Sequence, residues 1–154
     1  MVATFTSRVV SIEQMGRIGA AIDGTFGMLA AEGAVTTSAN LTVAVAAITA
    51  SSYVIAGNKI TTAYAGGTVT SDAADGSNPR IDIVTIDTSG TVAIAKGTAA
   101  ATPIPPTIGA TKLELAMLLV ASSATSFTSN DIIDRRQRID SSFGTDFLVV
   151  QVFS

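Results

Sequence analysis

The sequence predicts an all-β protein: a compact, sandwich-like domain with an N-terminal arm or short helix on one side and a C-terminal strand on the other. Three observations carry that expectation. From Leu41 onward apolar residues recur at a period of two, as in Leu41, Val43 and Val45, and Arg80–Asp87 again alternates between two faces. Clusters of Asp, Asn, Gly and Pro separate these runs, above all Asp72–Pro79. Branched residues crowd the runs themselves, as in Arg80–Asp87, and they suit a pleated surface better than a helix.

Residues 1–40 form the arm, which is counted as an interface element. Val9, Val10, Ile12, Met15, Ile18, Ala21 and Ile22 fall at spacings of three and four, which permits an amphipathic helix around Glu13–Asp23. Gly16, Gly19, Gly24 and Gly27 work against it, each costing up to about 1 kcal/mol relative to Ala in a helix interior. A packing seam, a hinge and an irregular arm all fit those glycines.

Residues 41–136 form the β-rich domain. Leu41–Val45 and Tyr53–Ile55 read as short strands, with Ala56-Gly57-Asn58-Lys59 as the turn into a third strand at Ile60. Gly66-Gly67 marks a turn or bulge. In Arg80–Asp87, period two puts Ile81, Ile83 and Thr85 on one face and Arg80, Asp82, Val84 and Ile86 on the other. Asp87-Thr-Ser-Gly90 then reverses the chain into Thr91–Ala95, the clearest hairpin in the sequence. Pro103, Pro105 and Pro106 fix φ and remove donors, so Ala99–Pro106 should be a rigid extended crossover on the surface; a ligand for a proline-recognising domain is the other reading. Leu113–Val120 is a strand by its alternation, with Leu113, Leu115, Met117 and Leu119 sharing a face, although its Leu, Met, Glu and Ala would also suit a short helix. Thr128–Asp131 offers capping oxygens for one helical turn. Residues 137–154 are a linker and a strand, because Asp146–Ser154 has the strongest strand tendency of all. Such a run must complete the domain's own sheet or add to a neighbour's.

Composition narrows the functional classes. A chain of 154 residues is enough for one well-cored domain. Charged residues make up 14% of it, against about 25% ordinarily, and the net charge is −3, so little long-range repulsion opposes self-association. A homo-oligomer or lattice component is expected, with a monomer as the alternative. The chain contains no Cys, His or Trp, which excludes disulfides, thiolate nucleophiles, imidazole bases, Cys/His zinc sites and His- or Cys-ligated haem. No cofactor and no metal is expected. Nine basic residues in an acidic chain argue against nucleic acid. The most apolar segments, 41–50 and 113–121, are too short to cross a bilayer, and residues 1–8 lack the pattern of a secretory signal.

For catalysis only carboxylates remain, in the pairs Asp72/Asp75, Asp82/Asp87 and Asp131/Asp134; turn formation is the preferred reading, and no catalytic residue is expected. Asp72, Asp75 and Asn78 carry oxygens that suit calcium, but without the spacing of an EF-hand, so here too turn formation is preferred. The charged residues that stand out are Arg80 with Asp82, and Asp134, Arg135, Arg136, Arg138 and Asp140. They make either a solvated face or salt-bridged contacts, within the chain or between subunits. The candidate interface set is therefore Arg80, Asp82, Asp134, Arg135, Arg136 and Arg138, with Phe147, Val149 and Phe153 from the tail.

The order of several segments adds a resemblance. Asn78-Pro-Arg-Ile-Asp-Ile-Val84 is followed by Asp87-Thr-Ser-Gly90, Lys96-Gly-Thr98, Thr102-Pro-Ile-Pro-Pro106, Leu113–Leu119, Ser126-Phe-Thr-Ser129 and Asp131-Ile-Ile-Asp-Arg135. Across about residues 40–136 the chain resembles a module of tailed-bacteriophage tail-tip, baseplate and fibre-attachment proteins. The resemblance implies a β-sandwich-like assembly domain without enzymatic role, often arranged around a symmetry axis. Asn78 and Pro79 would set a strand entry, Arg80 and Asp82 would be the polar signature positions, and Asp134 and Arg135 would close the module. Ala34–Gly57 is richer in Ala and Thr than the usual opening of that module, and no receptor-binding domain is expected after it. The implied function is that of a structural virion protein, made in the host cytoplasm and joined to its own copies, as a trimer or hexamer, and to other virion proteins. A capsid-surface decoration protein and a glycan- or host-surface-binding module are the alternatives.

Overall fold

The computed structural model describes residues 27–29 and 32–139. The expected helix at Glu13–Asp23 and the strand at Asp146–Ser154 lie outside the described residues. Three sheets make up the domain, and they do not close into a barrel.

The strands are β1 (Gly27–Leu29), β2 (Val35–Thr37), β3 (Thr42–Val45), β4 (Tyr53–Ile55), β5 (Asn58–Ile60), β6 (Gly67–Thr70), β7 (Arg80–Asp87), β8 (Val92–Ala95), β9 (Lys112–Val120), β10 (Ile132–Asp134) and β11 (Arg138–Ile139). One sheet has the order β2-β3-β6, a second β10-β9-β7-β8, and a third β11-β1-β4-β5. Pairing is antiparallel throughout these sheets except between β1 and β11. Sheet content thus begins before residue 41: β2 lies in the stretch assigned to the arm yet pairs along β3, Val35 opposite Val45.

Alternation explains what each strand buries. In β3, Val43 and Val45 are buried while Thr42 and Ala44 stay half-buried. They meet Val84 and Ile86 of β7, Leu113, Leu115 and Leu118 of β9, and Met28, Tyr53 and Ile55 of the third sheet in one continuous core. Each such side chain contributes about 1.5–3 kcal/mol on leaving water. Tight turns complete the path. Ala56 and Gly57, at φ 51° and 76°, form the two-residue turn between β4 and β5, shorter than the four-residue turn read from the sequence.

The structure corrects the alternation expected in β9. Val84 lies opposite Ala116 but Thr85 lies opposite Glu114, so Leu115 is an extra residue, a bulge. The phase of two flips there: Leu113 and Leu115 face inward on one side of the bulge, and Ala116, Leu118 and Val120 on the other. Met117 and Leu119, expected on the Leu113 face, are only half-buried.

Candidate functional site

Period two puts Arg80 and Asp82 on the same face of β7 as Val84 and Ile86, and that face looks into the protein. Their side chains are 2% and 0% exposed. Ion pairs this deep persist only when hydrogen bonds satisfy both partners. Arg80 Nε donates to both carboxylate oxygens of Asp82, at 3.0 and 3.1 Å. Its NH1 donates to the carbonyl of Ala73 at 2.8 Å, and its NH2 donates to Ser71 Oγ at 3.0 Å and to the carbonyl of Asp72 at 2.6 Å. Asp82 also accepts from Ser71 Oγ at 2.5 Å and from the backbone N–H of Gly97 at 2.9 Å. One ion pair thereby fastens the end of β6, the 71–75 loop, the start of β7 and the chain leaving β8.

Local sequence builds the approaches to this clasp. Asp75 Oδ1 accepts the backbone N–H groups of Ser77 (2.9 Å) and Asn78 (2.7 Å), turning the chain toward Pro79. Those two bonds hold the Asp75 carboxyl below its ordinary range. Pro79 has no N–H of its own, and its carbonyl accepts from Ala100 N at 3.0 Å. Lys96 Nζ reaches Asp72 Oδ2 at 2.8 Å, and this bond and charge lower the Asp72 pKa. Gly97 is required by close approach, because a Cβ there would stand 2.0 Å from the carbonyl oxygen of Ile81.

The second ionic cluster divides. Arg136 is bidentate to Asp134, Nε to Oδ1 at 2.9 Å and NH2 to Oδ2 at 2.6 Å, and its NH1 donates to the carbonyl of Glu32 at 2.6 Å. Its side chain is 8% exposed, and the bonds to Asp134 raise its pKa above the ordinary value. Arg135 lies on the surface beside Glu114, at 3.4 Å. The side chain of Arg138 and the residues Phe147, Val149 and Phe153 lie outside what is described.

These positions locate the described members of the expected interface set. Arg80 and Asp82 are internal, because their phase on β7 is that of the core. Arg136 too is turned mostly inward, onto Glu32 and Asp134. Asp134 and Arg135 keep exposed atoms.

Sequence reading missed Glu32. Its Oε2 accepts from Thr49 N at 2.8 Å and from Ser52 Oγ, joining the β3–β4 turn to the bend before β2 whose Glu32 carbonyl Arg136 binds. Burial pushes its pKa up, but the bonds from Ser52 and Thr49 outweigh it and leave the carboxyl lowered. An isolated Glu before Gly33 gives no periodic signal, so nothing in the sequence pointed to it.

The carboxylate pairs considered for catalysis are engaged in turns and ion pairs. Asp87 Oδ1 accepts from Ser89 and Thr91 within the β7–β8 turn, and Asp131 Oδ2 accepts from Thr128 N and Oγ1 around a 3-10 turn at Ser129–Asp131. Among the described residues no group of three or more acidic side chains could hold a metal ion. No helix among them is long and apolar enough to cross a membrane. The described surface carries, among others, two depressions. One, of about 300 Å³, lies between β2 and β10, with Val35, Ile132 and Arg136 on its walls. The other, of about 470 Å³, is an open depression beside Leu41 and Ala124. What the polar residues do here is fasten loops to sheets.

No family model matches the chain, and no curated protein and no solved structure matches it either.

Proposed function

We propose that this protein is a structural component of a tailed-bacteriophage virion, in a tail, baseplate, collar or fibre-attachment assembly. It is made in the host cytoplasm, carried in the finished particle, and works by packing against its own copies and against other virion proteins, with no catalytic role. In this reading the domain is sandwich-like, the β2-β3-β6 sheet lying over the β10-β9-β7-β8 sheet.

The observation that supports this reading is the use of the segment carrying the resemblance. Asn78-Pro-Arg-Ile-Asp82 and Lys96-Gly-Thr98 are separated in sequence but meet in the clasp, where Asp82 accepts from Gly97 and Pro79 from Ala100. A signature spent on rigidifying a loop junction suits a scaffold whose surface is held in a fixed shape for assembly. The low share of charged residues suits the same use, since uncharged faces meet without desolvating ions.

Sedimentation velocity and native mass spectrometry of the full chain, across a wide range of concentration, test the reading. A discrete oligomer is expected, and antibody against the chain should label phage particles in electron micrographs. A strictly monomeric chain that labels no particle overturns it.

A further inference from the structure

We infer that the Asp75–Gly76 bond is a modification site: it rearranges to isoaspartate when the loop before β7 opens, and the folded loop holds that rearrangement back. The inference is independent of the assembly reading above.

The chemistry belongs to the dipeptide. Glycine after an aspartyl residue has no Cβ to crowd the approach of its own nitrogen to the preceding side chain. Gly76 N attacks Cγ of Asp75 and the new N–Cγ bond closes a succinimide ring, while the carboxyl hydroxyl leaves as water with the amide proton. Water then opens the ring. Opening at the side-chain carbonyl restores aspartate, and opening at the main-chain carbonyl leaves isoaspartate, whose backbone runs through Cβ. One water leaves and one enters, so the mass is unchanged and no other reactant is needed.

Asp75 and Gly76 are both exposed, so water reaches the bond. A Cβ built on Gly76 would meet nothing within 4 Å, so packing does not wall off the approach. Hydrogen bonds supply the restraint. Asp75 Oδ1 is fixed by the N–H groups of Ser77 and Asn78, at 2.9 and 2.7 Å. From across the loop Ser123 N donates to the Asp75 carbonyl at 2.7 Å, and Ser123 Oγ donates to the Gly76 carbonyl at 3.1 Å. The side chain and both carbonyls are thus tied, and cyclisation has to turn the carboxyl onto Gly76 N at the expense of the bonds to Oδ1. Those bonds also keep the carboxyl ionised, a form with no hydroxyl to release as water.

The product would not fit the fold. Isoaspartate lengthens the backbone by one carbon and moves the carboxylate off the side chain, so the turn onto Ser77 and Asn78 cannot re-form. The carbonyls of Asp72 and Ala73, which Arg80 grips at 2.6 and 2.8 Å, lie just before that turn. An opening of this loop is therefore written into the covalent chain at the approach to the clasp.

Peptide mapping tests the site. The full chain is incubated folded and, separately, in guanidinium chloride, and the tryptic peptide 60–80 is scored for isoaspartate by electron-transfer fragmentation. Cleavage after Lys59 separates it from the chain's other Asp-Gly pair, Asp23-Gly24. Isoaspartate at residue 75 should accumulate in denaturant and form at least about tenfold more slowly in the folded chain, where a loop tied at both carbonyls opens only part of the time. Gly76→Ala, at a position with open space and without left-handed φ, should melt like the parent and lose most of the isoaspartate formed in denaturant. Ser123→Gly keeps the residue's φ of 58° acceptable and removes the hydroxyl on Gly76, so its folded rate should rise several-fold. Equal rates in the folded and denatured parent overturn the restraint, an unchanged folded rate in Ser123→Gly overturns the part given to that hydroxyl, and no isoaspartate at residue 75 in denaturant overturns the site itself.

Discussion

At the scale of single residues, the clasp around Arg80 and Asp82 has the largest consequence for stability. Removing one member leaves the other charged or polar and buried, which costs about 3–5 kcal/mol when the partner is an ion. Arg80→Met and Asp82→Leu should each shift urea unfolding by that amount, whereas the two combined should lose clearly less than the sum. Additive losses would show that the two side chains do not act as a pair. Gly97→Ala should be nearly as damaging, at about 3 kcal/mol, because the added Cβ would collide with the carbonyl oxygen of Ile81; the same urea titration measures it, and an unchanged midpoint would contradict the close approach. The ion pair's burial was within reach of the sequence. Arg80 and Asp82 share the face of Val84 and Ile86, and once that face is the core face they must be inside. What the sequence could not supply were the acceptors on Ala73 and Asp72, which are backbone carbonyls and leave no trace in residue type.

At the scale of elements, the strands that alternate cleanly and end at strong turns were legible. The β7–β8 hairpin forms where expected because Asp87 accepts three hydrogen bonds inside the turn and Gly90 takes φ 78°. The β9 pattern misled because a bulge adds one residue without changing composition, and every later side chain then swaps face. The β4–β5 turn yields a further prediction. A two-residue turn with both central residues at positive φ favours Asn-Gly, and Ala56 occupies the first position at φ 51°. A non-glycine residue other than Asn or Asp meets a penalty of about 1–2 kcal/mol in that conformation. Ala56→Asn should therefore raise the melting temperature, by a stabilisation of about 0.5–1 kcal/mol, visible by calorimetry. No gain, or a loss, would mean that this turn is not held in the left-handed region.

At the scale of the whole molecule, the lowered carboxylates sit at the junctions that join the sheets. Glu32 ties the β3–β4 turn, Asp72 meets Lys96, Asp75 turns the chain into β7, and Asp87 shapes the β7–β8 hairpin. Burial opposes the lowering at Glu32, yet the bonds from Ser52 and Thr49 prevail; bonds from Lys96, from Ser77 and Asn78, and from Ser89 and Thr91 lower the other three. A carboxyl whose pKa is lower in the folded state gives the unfolded chain the greater proton uptake in acid, so its contribution is complete above the unfolded value and is lost as the pH falls through the folded one. The ordinary values are 3.8 for Asp and 4.5 for Glu, which places the loss below about pH 4. The chain has no His, so no side chain with an ordinary pKa near neutrality adds a second step. Thermal melts at successive pH values should show a plateau through neutrality and a fall only in acid, and Asp87→Asn should soften that fall by removing one of the titrating bonds. A transition centred between pH 6 and 7 would contradict this account, because Glu32, Asp72, Asp75 and Asp87 are all held below their ordinary values.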